Sequence, residues 1–188
     1  MFNITPKIQV EINEYLPVLQ SLGERRTFKK GDVIFRAGDR PDHLLYLTEG
    51  VVKSYYLSNG KEVILRLMSK NSAAFGYSSF ITGAPSQETI ECVQACEGVW
   101  ISLKELDDKK QEYPWLYVMR VYMAEQHYLS MERRLIMLHH KSLEQRYRYF
   151  LDVMDDEVVE NTPMHCVASY LGVTPESFSR MKRNLERP

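Results

Sequence analysis

The sequence predicts an α+β chain in which a small β-roll is followed by one long helix and then by a helical end built as a helix-turn-helix. Three observations predict it. From Thr27 onward short runs of β-formers are punctuated by Gly31, Gly38, Gly50, Gly60, Gly76, Gly83 and Gly98, which is the spacing of a sandwich or roll. Glycine then disappears until Gly172, and from Pro114 apolar residues recur at helical intervals for about seven turns. Finally, Val167, Ala168 and Leu171 form one apolar face, Gly172 interrupts, and Val173, Phe178 and Met181 bring a second face round to meet the first.

In chain order, Ile8, Ile12, Tyr15, Leu16 and Leu19 lie three or four apart. A short lead helix is expected over 8–22, interrupted near Pro17. Strands are expected over 33–35, 44–47, 51–57 and 63–68, and Val93 with 99–103 closes the roll. Asn59-Gly60 supplies the two residues that tolerate positive φ in a tight hairpin. The long helix carries one stripe of Trp115, Val118, Tyr122, Leu129 and Ile136 and another of Leu116, Met119 and Met123. A helix apolar on two faces is buried on two sides. The roll covers one of them, so the first stripe is expected to meet a second copy of the chain.

After His139-His140-Lys141 a shorter helix is expected from Ser142 to Met154, with Ser142 and Gln145 as a capping box and Leu143, Tyr147, Phe150, Leu151 and Met154 inward. The acidic, polar stretch 155–161 reads as a loop. The expected domains are a sensor roll with its lead helix (1–112), a dimerisation helix (113–138) and the helix-turn-helix domain (139–188).

In that last domain Gly172 permits the positive φ of a tight interhelical turn. Thr174 caps the second helix, and Pro175 in its first turn forfeits no hydrogen bond. The outward residues are Thr174, Glu176, Ser177, Ser179, Arg180, Lys182 and Arg183. They combine acceptors with long cationic donors, the chemistry that reaches base edges and phosphates in a major groove.

The chain has 188 residues and a formal net charge of −1. That balance argues against a non-specific coat on DNA but allows a reader with a local basic face. Cys92, Cys96 and Cys166 are an odd number with no signal peptide before them, so buried thiols in a reducing cytoplasm are expected rather than disulfides. They do not form a metal-binding pattern, so no metal or cofactor is expected. His43, His127, His139, His140 and His165 show no ligand spacing and no nucleophile motif appears, which argues against an enzyme. No apolar run is long enough to span a bilayer.

Phe28-Lys-Lys-Gly-Asp-Val-Ile-Phe-Arg-Ala-Gly-Asp39, Leu45-Tyr-Leu-Thr-Glu-Gly-Val-Val-Lys53 and Thr174-Pro-Glu-Ser-Phe-Ser-Arg180, in this order of elements, resemble the CRP/FNR family of bacterial transcription regulators from about Thr27 to Arg183. The resemblance implies a cyclic-nucleotide-binding-like roll (a double-stranded β-helix) and a recognition helix in which Glu176 and Arg180 touch bases. It implies double-stranded DNA with a palindromic operator, a second copy of the chain, a small-molecule effector and RNA polymerase as partners. The candidate effector pocket is Phe75, Gly76, Tyr77, Ser78, Ser79, Glu88 and Thr89.

Two departures from the family pattern bear on function. Members that bind cyclic AMP carry Phe-Gly-Glu and, later, Arg-Ser-Ala, where the glutamate meets the ribose and the arginine the phosphate. Here the turn reads Phe75-Gly76-Tyr77 and the later stretch Glu88-Thr89-Ile90-Glu91. Two glutamates without a compensating arginine would repel a cyclic phosphate, so cyclic AMP is not the expected effector. A pocket filled by its own side chains is the other outcome. In addition, only five residues follow Arg183, so the family's β-hairpin wing is expected to be truncated or absent, at a cost in phosphate contacts rather than in base reading. The competing class is a ligand-sensing or scaffold module that acts on a protein partner through its C-terminal helices.

Overall fold

The computed structural model of the protein describes residue 15 and residues 17–185. The expected lead helix over 8–22 falls mostly outside the described residues. Residues 17–21 are helical, and Leu19 is buried among roll residues Leu44, Val99 and Ile101.

The roll has eight strands among the described residues: β1 (Glu24–Phe28), β2 (Val33–Phe35), β3 (His43–Glu49), β4 (Val52–Ser58), β5 (Lys61–Met68), β6 (Ala73–Ala74), β7 (Thr89–Cys92) and β8 (Cys96–Ser102). They form two antiparallel sheets, ordered β1-β8-β3-β6 and β2-β7-β4-β5. Leu45, Leu47, Val52, Ile90, Cys92 and Cys96 fill the space around which the sheets close. The β4–β5 hairpin turns on Asn59 (φ 51) and Gly60 (φ 73), both in the left-handed region, as its two-residue loop requires.

The sequence pattern missed several elements. β1 begins at Glu24, ahead of the β-rich run, because its register opposite β8 (Glu24↔Trp100 to Phe28↔Cys96) fixes it rather than any apolar alternation of its own. The last sheet-B strand ends at Cys92, and Val93 sits in the turn, donating its N–H to the Val51 carbonyl at 2.8 Å. Two short helices, α1 (Tyr77–Thr82) and α2 (Leu103–Asp108), flank that part of the roll. Ser102 caps α2 by accepting from the Glu105 N–H at 3.3 Å.

The long helix α3 (Trp115–His139) leads to α4 (Leu143–Val153), whose Ser142–Gln145 capping box is formed in both directions. Residues expected to form a loop instead make α5 (Asp156–Asn161). Asp156 and Glu157 in its first turn favour the positive end of the helix dipole, and Val158 is buried beneath it. The helix-turn-helix is α6 (Met164–Tyr170) and α7 (Pro175–Leu185).

These helices do not keep a core to themselves. Val51, Ile64, Leu67 and Val93 of the roll pack in one cluster with Met137, Phe150, Val158, Val167, Ala168, Leu171 and Phe178. The contact is also polar. Ser169 of α6 accepts from the Ile64 N–H at 3.0 Å and donates to the Glu62 carbonyl at 2.9 Å, satisfying the free edge of β5. Ser69 donates to Asp155 at 2.6 Å, and the Gly50 N–H reaches Glu157 at 3.2 Å. Ser169→Ala would leave two backbone groups at this junction without their partner. A loss of about 1–3 kcal/mol in equilibrium urea unfolding is expected; an unchanged midpoint would show that water replaces the hydroxyl there.

Candidate effector cavity and recognition helix

The Phe75-Gly76-Tyr77 turn is packed too closely for a larger residue. A Cβ on Gly76 would lie 2.9 Å from the Ser86 hydroxyl. Phe75 and Tyr77 are buried and meet edge to face at 5.3 Å, while Ser78 faces solvent. Ser79 is buried and donates to the Ala84 carbonyl, closing the loop after α1. Thr89 accepts from the Ala37 N–H at 3.1 Å, so it braces the loop before β3.

Glu88 corrects the sequence-based electrostatics. It is 8 % exposed and is neutralised by Arg66 of β5, itself 6 % exposed, at 2.8 Å. Ser54 donates to the other carboxylate oxygen at 2.5 Å, and Arg66 also donates to the Phe75 carbonyl at 2.9 Å. The compensating arginine therefore exists, but it comes from a different strand. Glu91 likewise has Lys53 at 3.2 Å, which also holds Glu62 at 2.6 Å. Arg66 was legible as the one charge in the otherwise apolar run 63–68.

Between the roll and α3 lies a cavity of about 830 Å³ lined by Phe75, Tyr77, Phe80 and Arg66 from the roll and by Met119, Met123, Gln126 and His127 from α3. Of the expected pocket residues, Phe75 and Tyr77 reach its wall. Gly76, Ser78, Ser79, Glu88 and Thr89 do not line it, and Glu88 is linked to it through Arg66. His127 stacks on Tyr77 at 4.8 Å. It lies one turn beyond Met123 on the stripe Leu116, Met119, Met123, and that spacing could have identified it.

Burial, followed by the nearby Arg66 charge, holds His127 below its ordinary pKa of 6.5, and Glu88 only partly offsets them. The unfolded chain then takes up this proton first as pH falls. The stability that the neutral ring contributes is present above about pH 6.5 and declines below it. His127→Phe is expected to flatten that part of the stability–pH profile in denaturation series. For the ion pair, Arg66→Met strands a buried carboxylate and is expected to cost about 3–5 kcal/mol. The double variant Arg66→Met, Glu88→Gln should recover most of it; equal losses in single and double variants would show that the pair is not coupled.

The helix-turn-helix has the geometry its sequence requires. Gly172 takes φ 74, and the Val173 N–H returns to the Ala168 carbonyl at 3.0 Å. Thr174 accepts from the Ser177 N–H at 3.3 Å, and Phe178 is buried against Tyr147. Thr174, Glu176, Ser177, Arg180 and Arg183 are exposed. Ser179 and Lys182 are half-buried, with the Lys182 ammonium 6.0 Å from the Tyr147 ring centroid. Hydrogen bonds from its own backbone N–H and then from Thr174 keep the Glu176 carboxyl below the usual range, with a smaller contribution from Lys61.

On α3 the expected stripe divides. Trp115 stacks on Tyr15 at 4.9 Å, Tyr122 packs against the roll cluster and Leu129 is half-buried, whereas Val118 and Ile136 are exposed. The uncovered apolar seam is centred on Tyr117, Val121, Tyr128 and Leu135, each at least half exposed.

Residues 25–113 match the family model of the cyclic nucleotide-binding domain. Curated protein sequences give no match. Among solved structures, the c-di-GMP-responsive global regulator CLP of Xanthomonas campestris is similar at TM-score 0.73 and 18% identity, over 93% of this chain and 91% of that one. FixK2 of Bradyrhizobium japonicum is similar at TM-score 0.75 and 18% identity, over 87% and 84%. A CooA mutant from Carboxydothermus hydrogenoformans follows at 0.70 and 12%, over 90% and 78%. No described helix is long and apolar enough to cross a membrane. At these identities the structural likeness is one of fold: residues 25–113 match the cyclic nucleotide-binding domain model, and the order of roll, long helix and helical end is the one these solved structures share.

Proposed function

We propose that the protein is a homodimeric, sequence-specific DNA-binding transcription regulator whose roll senses a small effector other than cyclic AMP. The observation that carries this reading is α7, which buries Phe178 and leaves Glu176, Ser177, Arg180 and Arg183 exposed on its outer side. A packing hairpin has no need of such a face. Glu176 and Arg180 are assigned to bases, and Thr174, Ser177 and Arg183 to phosphates or base edges. Ser179 and Lys182 take secondary roles because they are turned partly toward the domain.

The uncovered seam of α3 supports the dimer. Val121, Tyr128 and Leu135 recur at the heptad interval that lets two helices wind about each other. The domains follow as a sensor over 1–112, a dimerisation helix over 113–138 and a DNA-binding end over 139–188. Exclusion of cyclic AMP rests on Arg66, the buried β5 guanidinium beside the Phe75 turn, which is already engaged by Glu88. RNA polymerase is a partner that this role would bring.

Selection of sites from randomised duplexes at near-physiological salt tests the reading. An enriched palindrome with half-sites about 10 base pairs apart is expected. Arg180→Ala should then weaken binding by about 1–3 kcal/mol and relax one base per half-site. Equal losses on selected and random DNA would reduce Arg180 to a phosphate contact. No enrichment with or without cell extract would favour the competing module that docks on a protein.

A further inference from the structure

The cavity changes character along α3. Leu116, Met119 and Met123 line one end, and Gln126, Ser130 and Arg133 line the next turns of the same face. The first end is apolar on both sides, since Met119 and Met123 belong to one cluster with Leu44, Phe75 and Leu103.

The second end carries one buried donor without a partner and one guanidinium without an ion pair among the described residues. Gln126 Nε2 is buried and has no hydrogen-bond partner among the described residues. Arg133 is half-buried and, unlike Lys53 and Arg66, has no ion pair among them. An amide NH₂ and a guanidinium both donate only, and a buried donor without an acceptor is costly. The group that satisfies both supplies acceptor oxygens, and at a guanidinium an anionic oxygen makes the stronger, charge-assisted bond.

Its charge is bounded by the opposite wall. Asp155, Asp156 and Glu157 also line this end. Asp155 is engaged by Ser69, and Glu157 by Gly50 and Gln94 through one oxygen, while its buried Oε2 has no partner among the described residues. Such a wall opposes a dianionic phosphate more than a single carboxylate. Of the other two guanidiniums on the lining, Arg66 is engaged by Glu88, and Arg120 is exposed and lies over the Phe80 ring at 5.0 Å, so solvent already satisfies it.

We infer that the cavity binds an amphipathic monocarboxylate, its apolar body between Met119, Met123 and Phe75 and its carboxylate held by Gln126 and Arg133. This rests on the roll being an effector domain and names the class of effector. A volume of about 830 Å³ suits a ligand of drug-like size.

The test is calorimetric titration of the full chain with straight-chain carboxylates of increasing length, their methyl esters and cyclic AMP. The inference expects saturable binding of an acid that strengthens with chain length until the cavity is full. The matching ester should bind at least about tenfold more weakly. Arg133→Gln and Gln126→Leu, each confirmed folded by thermal melting, should bring the acid down to the affinity of its ester. Four results overturn it: no binding of any acid, equal binding of acid and ester, an acid preference that survives both variants, or tighter binding of cyclic AMP. Operator selection separates this from the regulator reading. A palindrome without acid binding overturns only the effector class, whereas acid binding without a palindrome overturns only the DNA role.

Discussion

The helix-turn-helix is held by a core it shares with the roll. Its two helices are short, and helices of this length are marginal without tertiary packing. Val167, Ala168 and Leu171 find that packing against Val51, Ile64 and Leu67 as well as against Phe150 and Phe178. Ser169 adds directional bonds by occupying the donor and acceptor that β5 exposes as an edge strand. The orientation of α7 is consequently fixed by the roll as much as by its own turn.

That arrangement makes β5 the element common to both sites. Ile64 meets α6, Leu67 belongs both to the shared core and to the cavity wall, and Arg66 between them holds Glu88 and the Phe75 carbonyl. A ligand that displaced α3 or the Phe75 turn would act on a strand already bonded to the helix-turn-helix. Packed interfaces of this kind are bistable rather than continuously deformable. In the regulator reading, the effector therefore biases which packing β5 and α6 adopt.

The sequence made the coarse order legible because its signals are local. Glycine spacing marks the roll, helical periodicity marks α3, and Gly172 with Thr174-Pro175 marks the turn and cap. What it hid was non-local. Glu88 appeared unpaired because Arg66 lies on another strand, and strand pairing brings them together through Ser54↔Ile90 and Ser54↔Arg66 on β4. The helix α5 was hidden because Asp156 and Glu157 resemble loop residues until Val158 is seen to be buried. Gln126 and Arg133 carry no motif; only the cavity shows that one amide nitrogen has no partner among the described residues.

The stripe on α3 shows the same limit in geometric form. Apolar residues occur round much of this helix, so periodicity alone cannot say which face the roll takes. Leu116, Met119 and Met137 are the buried positions, and they set the rotation. Trp115 and Tyr122 are then drawn to the roll side, while Tyr117, Val121, Tyr128 and Leu135 are left outward. One residue along a helix is about 100° of rotation, enough to exchange a covered stripe for an open one. The seam that remains keeps heptad spacing, and Tyr128 donates to Glu132 at 3.2 Å. Its phenol ring thus presents an apolar face with the hydroxyl already satisfied, which removes the desolvation cost that a tyrosine would otherwise bring to a helix–helix seam.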